Sequence, residues 1–406
     1  MKIINGGASA PIGFTVNGIH CGIKKKKKDL ALIYSEECAK VAGTFTANIV
    51  KAAPVVWDKK IVDEYENAKV IVITSGNANA CTGEKGYEDN LNIAQRTADE
   101  LNIDKEEVLV CSTGVIGEYI PMDIIKSGIV NLTKLIKNNE NSNLNGAQAI
   151  LTTDTFIKEI AVEFDCNGKK VTIGGMAKGS GMIHPNMATM LSFITTDANI
   201  SKELLQKTLG NSIKDTYNMI SIDGDTSTND TVLVLANGMS GNDEIQEVSN
   251  EYELFKEAFD YVNCYLAKEI VKDGEGASKF IEVRVNGACK KEDARLIAKS
   301  IITSNLVKTA LFGEDANWGR ILCAMGYSGG SFDVNKVELY FNSHHGNIKL
   351  LENGMPLKFD EDHALKILQE KEVIIEAYLN NGDYCAKAWG CDLSYEYVKI
   401  NGEYRT

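Results

Sequence analysis

The sequence predicts a mixed α/β protein with antiparallel sheets covered by helices, and three observations predict it. Short apolar runs closed by turn residues alternate with amphipathic helical stretches along the 406 residues. Several of the runs alternate polar and apolar side chains, the pattern of sheets with one covered face. The composition, 44% apolar and 24% charged, is that of a soluble globular chain, and the length suits one large or two medium domains.

Taken in order, "KVIVITSG" (69–76) is an apolar run closed by Gly and reads as a buried strand. Tyr87, Leu91, Ala94, Ala98 and Leu101 recur at steps of four and three, so 87–101 is an amphipathic helix. "EEVLVCST" (106–113) is a second strand, and Pro121 serves as the first helical residue of a stretch carrying Ile125, Ile129, Leu132 and Leu135. Two β-rich runs between 157 and 176 flank Asn167-Gly168, a hairpin signal. "TMLSFITT" gives a further strand, followed by a helix near 201–219 and a strand near 231–236. Tyr252, Phe255, Phe259, Val262, Leu266 and Ile270 mark a long helix. "FIEVRVNG" (280–287) alternates as a half-buried strand, a helix follows near 291–304, and late strands fit 336–341, 372–378 and 384–390.

A net charge of −13 disfavours nucleic acid and anionic membranes as partners. Against that background the run Lys24–Lys28 reads as a solvated edge or loop. The first residues, "MKIINGGASAPIGF", lack the apolar stretch of a secretory signal, and no run reaches membrane-span length, so a cytoplasmic protein is expected. The ten Cys include no CxxC and read as reduced core residues; the five His are poorly spaced for zinc. "DGDTSTND" (223–230) opens like a calcium loop but has Thr228 and Val234 where such a loop needs Gly and Glu. It reads instead as a polar loop or active-site wall. P-loop and dinucleotide patterns are absent.

"KGSGMIHPNMATML" (178–191) raises a sharper question. A flexible, Gly-rich approach, crowded by Gly174, Gly175, Gly179 and Gly181, ends in Ala188-Thr189 and leads straight into an apolar strand. A plain loop and strand is one reading. The other is cleavage between Ala188 and Thr189, which would give Thr189 a free α-amine beside its hydroxyl. Such an amine has a pKa of about 7.7–8.0 against about 10.4 for Lys, so it is the better-matched base for activating a weak nucleophile at neutral pH.

These residues resemble the signature of the ArgJ family, the glutamate N-acetyltransferases or ornithine acetyltransferases of arginine biosynthesis. "TSGNANACTG" (74–83), "CSTGVIGEYIPM" (111–122), "TTDT" (152–155), "DGDTSTNDT" (223–231), "DGEGASKF" (273–280), "FGEDANWGRI" (312–321) and "NGEYRT" (401–406) agree with it in order, so the likeness spans the whole chain. The resemblance implies a self-cleaving precursor that yields an alpha chain, 1–188, and a beta chain, 189–406. It implies an αββα-type sandwich similar to N-terminal nucleophile hydrolases but with its own connectivity. The implied reaction moves an acetyl group from N²-acetyl-L-ornithine to L-glutamate through an acetyl-Thr intermediate. In some members acetyl-CoA is also a donor. Thr189 matches the nucleophile, and Thr113 and Gly114 match the oxyanion hole. Thr152, Lys178, Thr189, Glu275, Asn401 and Thr406 fall at substrate-binding positions, with Thr153 the neighbour that competes with Thr152. Lys178 suits an α-carboxylate; Glu275 or the chain-end carboxylate of Thr406 suits the ornithine ammonium. No cofactor or metal is implied. The partners implied are the small-molecule substrates and the two chains themselves, assembled as a heterotetramer of two alpha and two beta chains.

Two alternatives use the same residues differently. An amidohydrolase or aminopeptidase would pass the acyl group to water and release acetate without glutamate. An uncleaved amino-acid-binding protein would run as a single band and form no acyl-enzyme.

Overall fold

The structure is a computed structural model and describes residues 1–138, 140–184 and 190–403. It has the expected mixed α/β class, with two sheets. The chain divides into two compact units. The first comprises Met1–Gly179, Pro185–Tyr217 and Thr226–Leu266; the second comprises Ser180–His184, Asn218–Asp225 and Ala267–Thr406.

The first unit holds a nine-stranded sheet. Its order is Lys2–Ile4, Lys158–Cys166, Lys169–Lys178, Leu191–Thr196, Thr231–Ala236, Leu30–Phe45, Asn67–Asn77, Val108–Val115, with Phe14–Ile19 also paired to Leu30–Phe45. The sheet is mixed rather than antiparallel throughout: Leu191–Thr196 runs parallel to Thr231–Ala236, and Asn67–Asn77 parallel to Val108–Val115. The first of these pairs is buried at every residue, as parallel strands covered on both faces usually are. Asn167 (φ 53°) and Gly168 (φ 78°) both take left-handed backbone and close the predicted hairpin between Lys158–Cys166 and Lys169–Lys178. Helices Ala53–Glu64, Gly83–Leu101 and Met122–Lys137 bury Ile61, Ile93, Ala94, Ile125 and Ile129 with Ile33, Ile71 and Val110 of the sheet in one core. Pro121 sits one position earlier than expected, as the N-cap, with its carbonyl accepting from Ile124 and Ile125.

The second unit holds a seven-stranded sheet in the order Met355–Pro356, Gly346–Glu352, Glu338–Ser343, Glu372–Tyr378, Phe280–Ala288, Tyr384–Cys391, Ile220–Ser221. Helix Lys291–Thr303 packs on it through Ala294, Ile297, Ala298 and Ile301. Helix Asn250–Lys272 begins in the first unit and ends in the second.

Three expectations are corrected. Gly174 and Gly175 do not form a flexible approach; they lie inside the strand Lys169–Lys178. A Cβ at Gly174 would overlap the Gly7 carbonyl, and one at Gly175 would press on Ile194 and Leu266, so close packing demands them. The cysteines are not uniformly core: Cys111, Cys166 and Cys391 are buried, but Cys38, Cys81, Cys289, Cys323 and Cys385 are exposed. The lysine run is a loop, with Lys25, Lys26 and Lys27 exposed, but Lys24 turns inward. Among the described residues, no helix is long and apolar enough to cross a membrane.

Candidate functional site

The residues singled out from the sequence that the structure describes fall into two clusters, one in each unit. In the first unit, Val108–Val115 delivers Thr113 and Gly114 to the end of the sheet, where its parallel register with Asn67–Asn77 breaks at Gly76 and Asn77. Gly114 adopts φ 134°, and a Cβ there would overlap the backbone of Gly76. Only glycine fits both the conformation and the approach. Asn229 holds the strand from the other side, donating from Nδ2 to Ser112 O at 2.8 Å and to Ala78 O.

Lys178 ends the strand Lys169–Lys178 of the same sheet and is 8% exposed. Its Nζ donates to Thr113 Oγ1 at 3.4 Å. A threonine hydroxyl offers one donor and two acceptor sites, so Thr113 can accept from Lys178 and still donate its own proton to a developing oxyanion.

Thr152 is half-buried, and its N–H donates to Asp154 Oδ2 at 3.0 Å. Asp154 was not singled out, although it lies within "TTDT". It is the organiser of this corner: its Oδ1 also accepts from Gly179 N–H at 2.7 Å and from Lys158 Nζ at 2.8 Å. Burial pushes the Asp154 carboxyl up, but Lys178 and Lys158, with the bonds from Lys158 and Gly179, win and hold it well below the usual carboxylate range. One ionised Asp154 therefore fixes both the segment that carries Thr152 and the residue after Lys178.

In the second unit, Glu275 is 9% exposed and faces Gly181, where a Cβ would overlap its carboxyl. Its backbone N–H donates to Ser180 O at 2.8 Å, and Asn401 Nδ2 donates to its Oε2 at 2.8 Å. Sequence reasoning missed two supports of this cluster. Asp223, in "DGDTSTNDT", accepts from the N–H groups of Met182 and Ile183 and from Tyr397 Oη. Burial first, then the charges of Asp223 and Glu275, push the Tyr397 phenol up, so it stays a donor. Asp223 is thus a backbone anchor, and among the described residues no group of three or more His, Cys, Asp and Glu could hold a metal ion. Ala188, Thr189 and Thr406 lie outside the described residues.

The structure thus brings Thr113, Gly114, Thr152 and Lys178 together in one unit, and Glu275 and Asn401 in the other. Comparison with known proteins follows from that arrangement. The model of the family described as the ArgJ family matches residues 15–406. A protein of Caldanaerobacter subterraneus subsp. tengcongensis named arginine biosynthesis bifunctional protein ArgJ is 54% identical over 406 residues, all of both chains. One of Clostridium acetobutylicum, named arginine biosynthesis bifunctional protein ArgJ 1, is 55% identical over 97% of this chain and 96% of its own. Among solved structures, an argJ chain from Bacillus halodurans is 44% identical, with a TM-score of 0.51, covering 53% of this chain and 100% of that one.

Proposed function

Because the chain belongs to the ArgJ family, we propose that it is an acetyltransferase of arginine biosynthesis, moving the acetyl group of N²-acetyl-L-ornithine to L-glutamate. The observation that carries the reading is the Lys178–Thr113 contact beside the left-handed Gly114, which puts a cation and an oxyanion donor at one strand end. The relatives are named bifunctional, and acetyl-CoA is the second donor that we assign to a second activity.

In this reading the precursor first cuts itself. Thr189 Oγ attacks the Ala188 carbonyl carbon, the peptide N–C bond gives way to an ester, and water hydrolyses the ester to leave an Ala188 carboxylate and a Thr189 amine. That amine then takes the proton of its own hydroxyl as Oγ attacks the acetyl carbon of acetylornithine. The Thr113 hydroxyl and Gly114 N–H stabilise the tetrahedral oxyanion. The proton passes to the departing α-nitrogen, ornithine leaves, and an acetyl-Thr189 ester remains. The amine of glutamate attacks that ester and the same groups act in reverse. Lys178 pairs the α-carboxylate common to both substrates, with Thr152 beside it. Glu275, Asn401 and Thr406 are the further substrate-binding residues of this reading. The alpha and beta chains stay together, two of each, as a heterotetramer.

The test is initial-rate kinetics. One site used in turn by donor and acceptor requires parallel double-reciprocal lines. Intersecting lines, or acetate released without glutamate, would overturn the reading. Replacing acetylornithine by acetyl-CoA in the same assay decides the second donor.

A further inference from the structure

Lys24 is the one lysine of the run Lys24–Lys28 that reaches inward to the cluster around Thr113. The loop that carries it is organised by Asp29, which is fully buried. Asp29 accepts from the N–H groups of Cys21 (2.6 Å), Gly22 (3.1 Å) and Lys24 (2.9 Å), and its own carbonyl accepts from Ser75 N–H at 2.9 Å. Fixed in this way, the Lys24 stem passes Gly76, where a Cβ would come within 3.1 Å of Lys24 Cγ. Gly76 is the residue against which Gly114 packs. At the far end, Lys24 Nζ donates to the carbonyls of Lys28 and Leu151. Leu151 directly precedes Thr152, whose N–H is held by Asp154, and Asp154 in turn holds the residue after Lys178.

We propose that Lys24 is a positioning residue, which clamps the Leu151–Asp154 segment to the glycine bulge behind the oxyanion-hole strand and thereby sets Thr152 and Lys178 for substrate. The proposal rests on the acetyl-transfer reading of the site. The alternative is a lysine that merely fills space under a surface loop, and two features count against it. An ammonium is an expensive filler for a half-buried position, because it loses hydration there. The same position also sets it near a second lysine, Lys178. Burial, followed by the positive charges of Lys27 and Lys178, outweighs Asp29 and Asp154 and lowers Lys24 to about 8. His20, whose Nδ1 lies 3.2 Å from Asp29 Oδ2, and the Cys21 thiol, which burial and Asp29 push up, are the titratable groups beside Asp29 in the same loop; the Lys28 ammonium is directed at Gln148 Oε1 instead. Below that pH the clamp is a charge-assisted donor to two carbonyls; above it the bonds are those of a weaker neutral amine.

The experiment compares unaltered protein with Lys24→Met and Lys24→Arg between pH 6.5 and 9.5. In the unaltered protein the KM for acetylornithine should rise several-fold as pH passes 8. Lys24→Met, which keeps the stem without the donor, should show a KM about tenfold higher and flat with pH, with kcat within threefold. Lys24→Arg, charged throughout, should keep the low KM and also lose the rise. A KM for Lys24→Met within twofold of the unaltered protein, or a pH limb that persists in both variants, overturns the assignment and leaves acetyl transfer standing. Backbone amide exchange over 148–156 reads the clamp without any activity. It should quicken at least tenfold in Lys24→Met and not in Lys24→Arg. If the unaltered protein transfers no acetyl group, the reading of the site fails and the exchange result alone decides Lys24, unchanged exchange overturning it.

Discussion

At Thr113 the hydroxyl accepts from an ammonium at 3.4 Å, longer than the roughly 2.7–2.9 Å of a strong charge-assisted bond. In the proposed mechanism Lys178 therefore leaves most of its donor capacity for a substrate carboxylate, while Thr113 keeps its own proton for the oxyanion. Charge on that oxygen develops only in the transition state, so the contribution of Thr113 belongs to rate rather than binding. Thr113→Ala should slow acetyl transfer by about 10²–10³-fold, with a much smaller change in the KM for acetylornithine. A steady-state assay with both parameters resolved checks this, and a rate within threefold of normal removes Thr113 from the mechanism. Gly114 is a less informative target: any side chain there meets Gly76 backbone and a left-handed φ, so a loss of rate would not separate chemistry from geometry.

The elements that the sequence made legible are those with a clean period. Asn67–Asn77, Thr231–Ala236, Phe280–Ala288 and Glu372–Tyr378 lie where apolar runs or alternation put them, and Gly83–Leu101 and Asn250–Lys272 where helical spacing did. The 16-residue strand Leu30–Phe45 was not legible, although it pairs with three other strands. Its centre, "SEECAK", reads as a polar turn, and the ladder to Asn67–Asn77 shifts register there, between Tyr34 and Ala39. Helices Asn305–Phe312, Trp318–Gly326 and Glu361–Leu368, of eight or nine residues, are too short to show a period of their own. Among residues of the candidate site, Gly114 and Lys178 stand out in the sequence by their place in the motifs. Asp154, Asp223 and Tyr397 do not, because what makes them supports of the site are partners far along the chain: Gly179 for Asp154, Met182 and Ile183 for Asp223, and Asp223 for Tyr397. Lys299, on Lys291–Thr303, is of the same kind. Its Nζ donates to Asn218 O and Ile220 O at the start of the edge strand Ile220–Ser221, and burial lowers it to about 7. An unfolded lysine titrates near about 10.4. Between the two values the unfolded chain binds a proton that the folded protein does not, so this residue adds stability as pH rises, by about 1.4 kcal/mol per pH unit. The difference in unfolding free energy between unaltered protein and Lys299→Met, from denaturant titrations at pH 7, 8 and 9, should shift by about that slope in favour of the unaltered protein. A difference that stays constant with pH contradicts a lysine discharged by burial.

Across the first unit, the sheet is woven from both sides of the proposed cut. Leu191–Thr196 and Thr231–Ala236 would belong to the beta chain, and they lie side by side. Lys169–Lys178, from the alpha chain, flanks one of them, and Leu30–Phe45, also from the alpha chain, flanks the other. The register Lys178↔Leu191 continues through Ile173↔Thr196, and Thr231↔Phe45 through Ala236↔Lys40. Breaking the Ala188–Thr189 bond removes one covalent link and none of these ladders. The strands also share buried faces, so separating the fragments would expose Phe193, Leu233 and Leu235 of the core. Cleavage should therefore be invisible to native size-exclusion chromatography and plain on a denaturing gel. Purified protein should give two bands there, and N-terminal sequencing should read Met1 and Thr189. Thr189→Ala lacks the attacking hydroxyl; it should run as a single 406-residue chain, elute natively with the unaltered protein, and transfer no acetyl group. Two denatured bands from Thr189→Ala would show that another nucleophile or a contaminating protease makes the cut. An intact chain in fully active unaltered protein would show that the free α-amine is not the base.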